Sequence, residues 1–124
     1  MSVEPIEVTD ALYNTSKRLD KGADIITSKA KDFAQSEKIY RIALAKEITK
    51  LRTEGVPTTL INNLARGNEN VADLKFNRDL SQEVLKASHS MLRALETEVS
   101  ALQSILRVQE RIGFRIPNEE LKQN

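Results

Sequence analysis

Residues 68–112 read NENVADLKFNRDLSQEVLKASHSMLRALETEVSALQSILRVQERI, and they carry two apolar rows where an ordinary surface helix needs one. The first row is Val71, Leu74, Leu85, Leu92, Leu95, Val99, Leu102 and Leu106, interrupted by Arg78, Ser81 and Ser88. Its three- and four-residue steps are those of a heptad seam, which favours coiled-coil packing. The second row, offset from the first, is Leu80, Val84, Ala87, Met91, Ala94, Ala101, Ile105, Val108 and Ile112, and Glu98 alone breaks it. Doubled positions such as Val84–Leu85 and Ile105–Leu106 widen the apolar arc beyond what one partner helix covers.

The first seam needs a facing helix, and residues 10–54 supply one. Leu12, Leu19, Ile26, Phe33 and Tyr40 recur every seven residues, with Ser16, Ala23, Ala30, Glu37, Leu44 and Leu51 at the complementary position. Past Tyr40 the pattern slips, and Ile48 rather than Glu47 continues the stripe, a slip that alters coiled-coil winding locally. Both stretches are rich in Ala, Leu, Lys, Glu, Gln and Arg, which lose little side-chain freedom in a helix. No segment shows the period-two alternation of a strand. The expected fold is all-α: a long antiparallel helical hairpin, 10–54 and 68–112, joined by a turn at 55–67 that holds a short helix. Residues 1–9 and 113–124 are read as tails of this single domain. At about 1.5 Å per residue each long helix would reach about 65–70 Å.

Glycine and proline positions draw these borders. Of four Gly and three Pro, six lie at ends or connectors, and Gly22 alone stands inside an element. Thr9 or Asp10 is expected to cap the first helix, Thr58 the short one, and Asn68 or Asn70 the third. Gly67 and Gly113 are expected to close the second and third helices. Gly22 either permits close helix approach or marks a break; Leu19, Ala23 and Ile26 keep phase across it, which favours continuity.

The second row of the third helix has no counterpart in the first, whose offset row is Thr15, Arg18, Gly22, Ile25, Lys29, Asp32 and Ser36. Burying a large apolar side chain is worth about 1.5–3 kcal/mol, so an uncovered row forgoes much stabilisation and invites association. The simplest completion is a second copy of the chain, a dimer first, giving a four-helix or larger bundle. A weaker completion folds Leu60, Ile61 and Leu64 of the short helix back over part of the row.

Composition excludes several classes. Basic and acidic residues number 19 and 18, so bulk charge does not indicate nucleic-acid binding. The absence of Cys excludes disulfides and thiolate metal or redox sites. The longest aliphatic run, 42–45, is far too short for a bilayer, and MSVEPIEVTD lacks the features of a secretory signal. A cytoplasmic location is expected. The one histidine, His89, has Leu85, Lys86, Leu92 and Arg93 at helical neighbour positions, so no carboxylate orients it. The pairs Glu119–Glu120 and Glu96–Glu98 lack the oxygen-rich surroundings of a Mg²⁺ or Ca²⁺ site. No glycine pattern cradles a phosphate. An enzyme is not expected, nor a cofactor or metal.

Two threads point toward DNA. Residues 10–54 hold ten Lys or Arg against seven acids, and Lys46, Lys50 and Arg52 close that helix near Arg66. The alternative is that these cations complement the helix dipole. The phrase LRTEGVPTTLINNLARGNENVADL scans loosely as a helix-turn-helix, but Asn63 and Asp73 stand where a small and an apolar residue belong.

The stretch YRIALAKEITKLRTEGVPTTLINNLARGNENVADLKFNRDLSQ, residues 40–82, resembles small helical proteins encoded by phages and prophages of Gram-positive bacteria. Their genes commonly sit in early regions, near those for single-strand annealing and single-strand binding. The resemblance carries no catalytic motif. It implies a phage accessory protein acting in the host cytoplasm through partners. It also singles out the turn, with Thr58, Thr59, Asn62, Asn63 and Arg66, as a contact surface for protein or nucleic acid. Three functions are consistent with this: an oligomeric protein-interaction module, a DNA-associated replication or recombination factor, or an inhibitor of a host defence or replication protein.

Overall fold

A computed structural model describes the backbone of residues 4–123 and the side chains of residues 4–113. Three helices follow one another: α1 (Pro5–Thr53), α2 (Thr58–Gly67) and α3 (Glu69–Gln123). There is no strand among the described residues. The long helix α1 packs antiparallel against the long helix α3, as shown below from the pairs that meet.

Several borders differ from expectation. The first helix starts at Pro5, not near Thr9, because proline at the first turn lacks only an N–H that would be unpaired anyway. Thr9 lies inside the helix and its hydroxyl donates to the Pro5 carbonyl at 2.9 Å. Thr58 does not cap α2: Pro57 holds that position without a side-chain hydrogen bond, and Leu60 N donates to the Pro57 carbonyl at 2.9 Å. Asn68 does cap α3, its Oδ1 accepting from Val71 N at 3.1 Å. Gly113 does not end α3, which continues to Gln123. A mid-helix glycine costs only about 0.5–1 kcal/mol, too little to halt a helix already propagating. The N-terminal tail expected at 1–9 is reduced to residues before Pro5, of which 1–3, like Asn124, lie outside the described residues.

The end of α1 is closed by a Schellman motif. Val56 N donates to the Leu51 carbonyl and Gly55 N to the Arg52 carbonyl, both at 3.1 Å, with Gly55 at φ +81°. Val56 also packs against the cluster of Leu51, Ile61 and Ala65. Gly55→Ala is expected to lower stability by about 1–2 kcal/mol, the cost of a left-handed L-residue. Chemical denaturation would check it, and an unchanged midpoint would contradict the assignment.

The chain divides into two compact units. In the unit formed by residues 25–89, the core is Leu51, Ile61 and Ala65, ringed by Leu44, Ile48 and Val56. Here α2 turns its one apolar edge onto the end of α1, leaving Leu60 and Leu64 half exposed. It therefore does not cover the second row of α3, and the fold-back completion is not adopted. Tyr40 and Val71 are also buried in this unit. In the other unit, formed by α1 up to Asp24 and α3 from Ser90, Val8 and Leu95 are buried. Gly22 lies in unbroken helix, and a Cβ there would stand 3.1 Å from Leu92 Cδ1. Its missing side chain lets Leu92 of α3 approach.

Candidate interaction surface

The first row of α3 is the more buried of its two rows, and Leu92 in it meets α1 at Gly22. Val71 and Leu95 are buried, and Leu74, Leu85, Leu92, Val99, Leu102 and Leu106 are partly buried. On α1, Tyr40 is buried and Leu12, Leu19, Ile26 and Phe33 partly so, whereas Ala23 is exposed; Leu44 and Leu51, expected in the same seam, belong to the cluster with Ile61 and Ala65 of α2.

The polar interruptions of the two seams meet one another. Within residues 25–89, Arg78 Nη1 donates to Glu37 Oε1 at 3.3 Å, and its guanidinium lies 5.0 Å from the centroid of the Tyr40 ring. Arg41 Nε donates to Glu37 Oε1 at 2.9 Å, Arg78 Nε to Asp79 Oδ1 at 2.8 Å, and Lys75 Nζ to Asp79 Oδ2 at 2.9 Å. The hydrogen bond from Arg41, opposed by partial desolvation and aided by the charge of Arg78, holds the Glu37 carboxyl below its ordinary value. Asp79 is lowered first by Lys75 and then by Arg78. Burial works against the charge on Arg78, yet Asp79 and Glu37 together raise its pKa.

A carboxylate lowered in the fold stabilises it fully above its unfolded pKa, about 4. That contribution is lost as pH falls through the lower folded value. The thermal midpoint is therefore expected to drop below about pH 4, and Glu37→Gln should flatten the drop. An acid-side profile identical to wild type would contradict the pairing.

In the unit formed by α1 to Asp24 and α3 from Ser90, Glu98 has partners that the row alone does not reveal. Thr15, buried at 3% exposure, donates its hydroxyl to Glu98 Oε1 at 3.3 Å, and Arg18 Nη1 lies 4.0 Å from Glu98 Oε2. The polar offset row of α1 thus accommodates the one acid in the second row of α3. Nothing in the spacing of either helix alone pairs these two positions.

The rest of the second row stays in solvent. In residues 25–89 these are Leu80, Val84 and Ala87; on α3 from Ser90 they are Met91, Ala94, Ala101, Ile105, Val108 and Ile112. Met91 is 63% exposed, Val108 54% and Ile112 52%. Isolated exposed apolar residues are ordinary, but three at heptad spacing in residues 25–89 and six on α3 from Ser90 are more than scattered exposure.

The second candidate surface lies at the other end of α1. Lys46, Glu47 and Lys50, with Ile39, Ile42 and Ala43, form one wall of an open groove of about 420 Å³; Asn68, Asn70, Val71 and Leu74 form the other. Arg52, Thr58, Thr59, Asn62, Asn63 and Arg66 are exposed, the last five on α2. Only Asn68 separates α2 from α3, so Gly67 does not stand in the three- or four-residue turn of a helix-turn-helix. His89 is exposed. Among the described residues no three His, Asp or Glu converge as a metal site, and no helix is long and apolar enough to cross a membrane. The side chains of Glu119 and Glu120 lie outside the described residues. Comparison with protein-family models, curated proteins and solved structures finds no match.

Proposed function

We propose that this chain is a non-enzymatic helical protein-interaction module that assembles with itself through the second row of α3. The observation that carries the reading is the uncovered apolar strip from Leu80 to Ile112, on a helix whose other apolar row is already used against α1. A surface of that kind is stable in water when a second apolar face covers it. The module acts in the bacterial cytoplasm as a phage-type accessory protein, recruiting a phage or host protein; inhibition of a host defence or replication enzyme is one form this takes.

Co-expression of a tagged and an untagged copy tests the self-association. Untagged chain retained with the tagged one supports it, and its complete loss on washing at low salt overturns it.

A second reading rests on the groove beside Lys46 and Lys50, where two cations and one acid, Glu47, stand next to the N-terminal end of α3. In this reading the chain is a DNA-associated replication or recombination factor. Binding of single- or double-stranded DNA would then weaken steeply with salt, and less steeply after Lys46→Glu with Lys50→Glu. No binding at low salt ends that reading.

A further inference from the structure

We propose that α3 pairs with α3 of a second copy in the antiparallel sense, about a two-fold axis passing beside Glu96. This rests on the self-association proposed above and specifies its geometry. The second row keeps an unbroken alternation of three- and four-residue steps from Leu80 to Ile112. Such a row can face itself reversed, with Leu80 opposite the partner's Ile112. In that register the outer layers pair large with large, Leu80 with Ile112 and Val84 with Val108, and in the central layers a large residue meets a small one. Ala87 faces the partner's Ile105, Met91 the partner's Ala101, and Glu98 the partner's Ala94.

The parallel alternative is worse on two counts. In register it stacks Ala87, Ala94 and Ala101 each on itself, leaving gaps beside the Met91 layer that close packing disfavours. It also places the two Glu98 carboxylates in one layer. The antiparallel register separates them and leaves each on Thr15 and Arg18 of its own chain.

The flanking positions agree. Reversal brings the same edge of both helices together, and the edge away from α1 carries Glu83, Ser90, Thr97, Ser104 and Arg111, all exposed. Glu83 then meets the partner's Arg111, twice by symmetry, Ser90 meets the partner's Ser104, and Thr97 meets itself across the axis. A parallel pair separates these edges. The row is about 48 Å long at the helical rise and about 10 Å wide, so a pair covers roughly 1,000 Å² in total, the lower bound of a specific interface.

Because the chain contains no Cys, single thiols report the geometry directly. The full-length variants Thr97→Cys and Ala101→Cys are each treated with a short bismaleimide cross-linker. The expected result is a covalent dimer with Thr97→Cys and none with Ala101→Cys, whose thiols lie about 15 Å apart along the antiparallel pair. A dimer with Ala101→Cys and none with Thr97→Cys overturns the proposal in favour of a parallel pair. Linkage of neither variant, in a chain that still retains its untagged copy, overturns this geometry while leaving self-association intact. Loss of retention overturns both. Glu83→Arg should weaken the dimer about 3- to 30-fold, and adding Arg111→Glu should restore it, as expected for two exposed ion pairs. Equal weakening by the single and double variants contradicts the register.

Discussion

Met91→Glu combined with Ile105→Glu is expected to leave a helical chain that no longer associates with itself. In the single chain Met91 is 63% and Ile105 43% exposed. Charging them there should change stability by no more than about 0.5 kcal/mol each. In the assembled state each copy would instead bury two unpaired carboxylates, at several kcal/mol per charge. At about 1.4 kcal/mol per tenfold, that weakens association by more than about 1,000-fold. Sedimentation velocity beside circular dichroism separates the two effects. Unchanged association would place the interface elsewhere, and collapse of the helical signal would mean these residues hold the single chain together.

The second large effect is expected at Ile61. This side chain is 4% exposed and is, with Leu51 and fully buried Ala65, the contact that holds α2 on α1. Ile61→Ala removes buried methyl groups and leaves a cavity, at about 2–4 kcal/mol. Leu64→Ala, on the same helix but half exposed, should cost under about 0.5 kcal/mol. Thermal unfolding and amide exchange in α2 measure the contrast. Equal costs at the two positions would contradict the orientation of α2.

These expectations draw on different levels of the chain. The helices and most of the α1–α3 seam were legible because heptad spacing states which face a residue takes; Ala23 stayed exposed, and Leu44, Ile48 and Leu51 went to α2 instead. Glu37 and Arg78 read only as flaws in separate stripes, because a one-dimensional pattern does not say which residues share a level. Once paired, each supplies the other's countercharge. Thr15 was unreadable for the same reason: a lone threonine in a polar row gives no sign that it is buried against Glu98. Helix ends were legible where a backbone geometry demanded a residue, as at Gly55. They were not where a weak breaker met a strong helix, as at Gly113. The basic end was visible as composition, but its groove exists only because the start of α3 lies beside Lys46 and Lys50. No spacing within either helix encodes that neighbour.

Under the proposed self-association, α3 has two apolar faces, the first satisfied within the chain and the second by another copy. Sedimentation equilibrium of the full chain at tens of micromolar tests this most directly. It predicts a species of about twice the 14.0 kDa chain mass, or a higher multiple, that dissociates on dilution. A single species of 14.0 kDa across that range would contradict it.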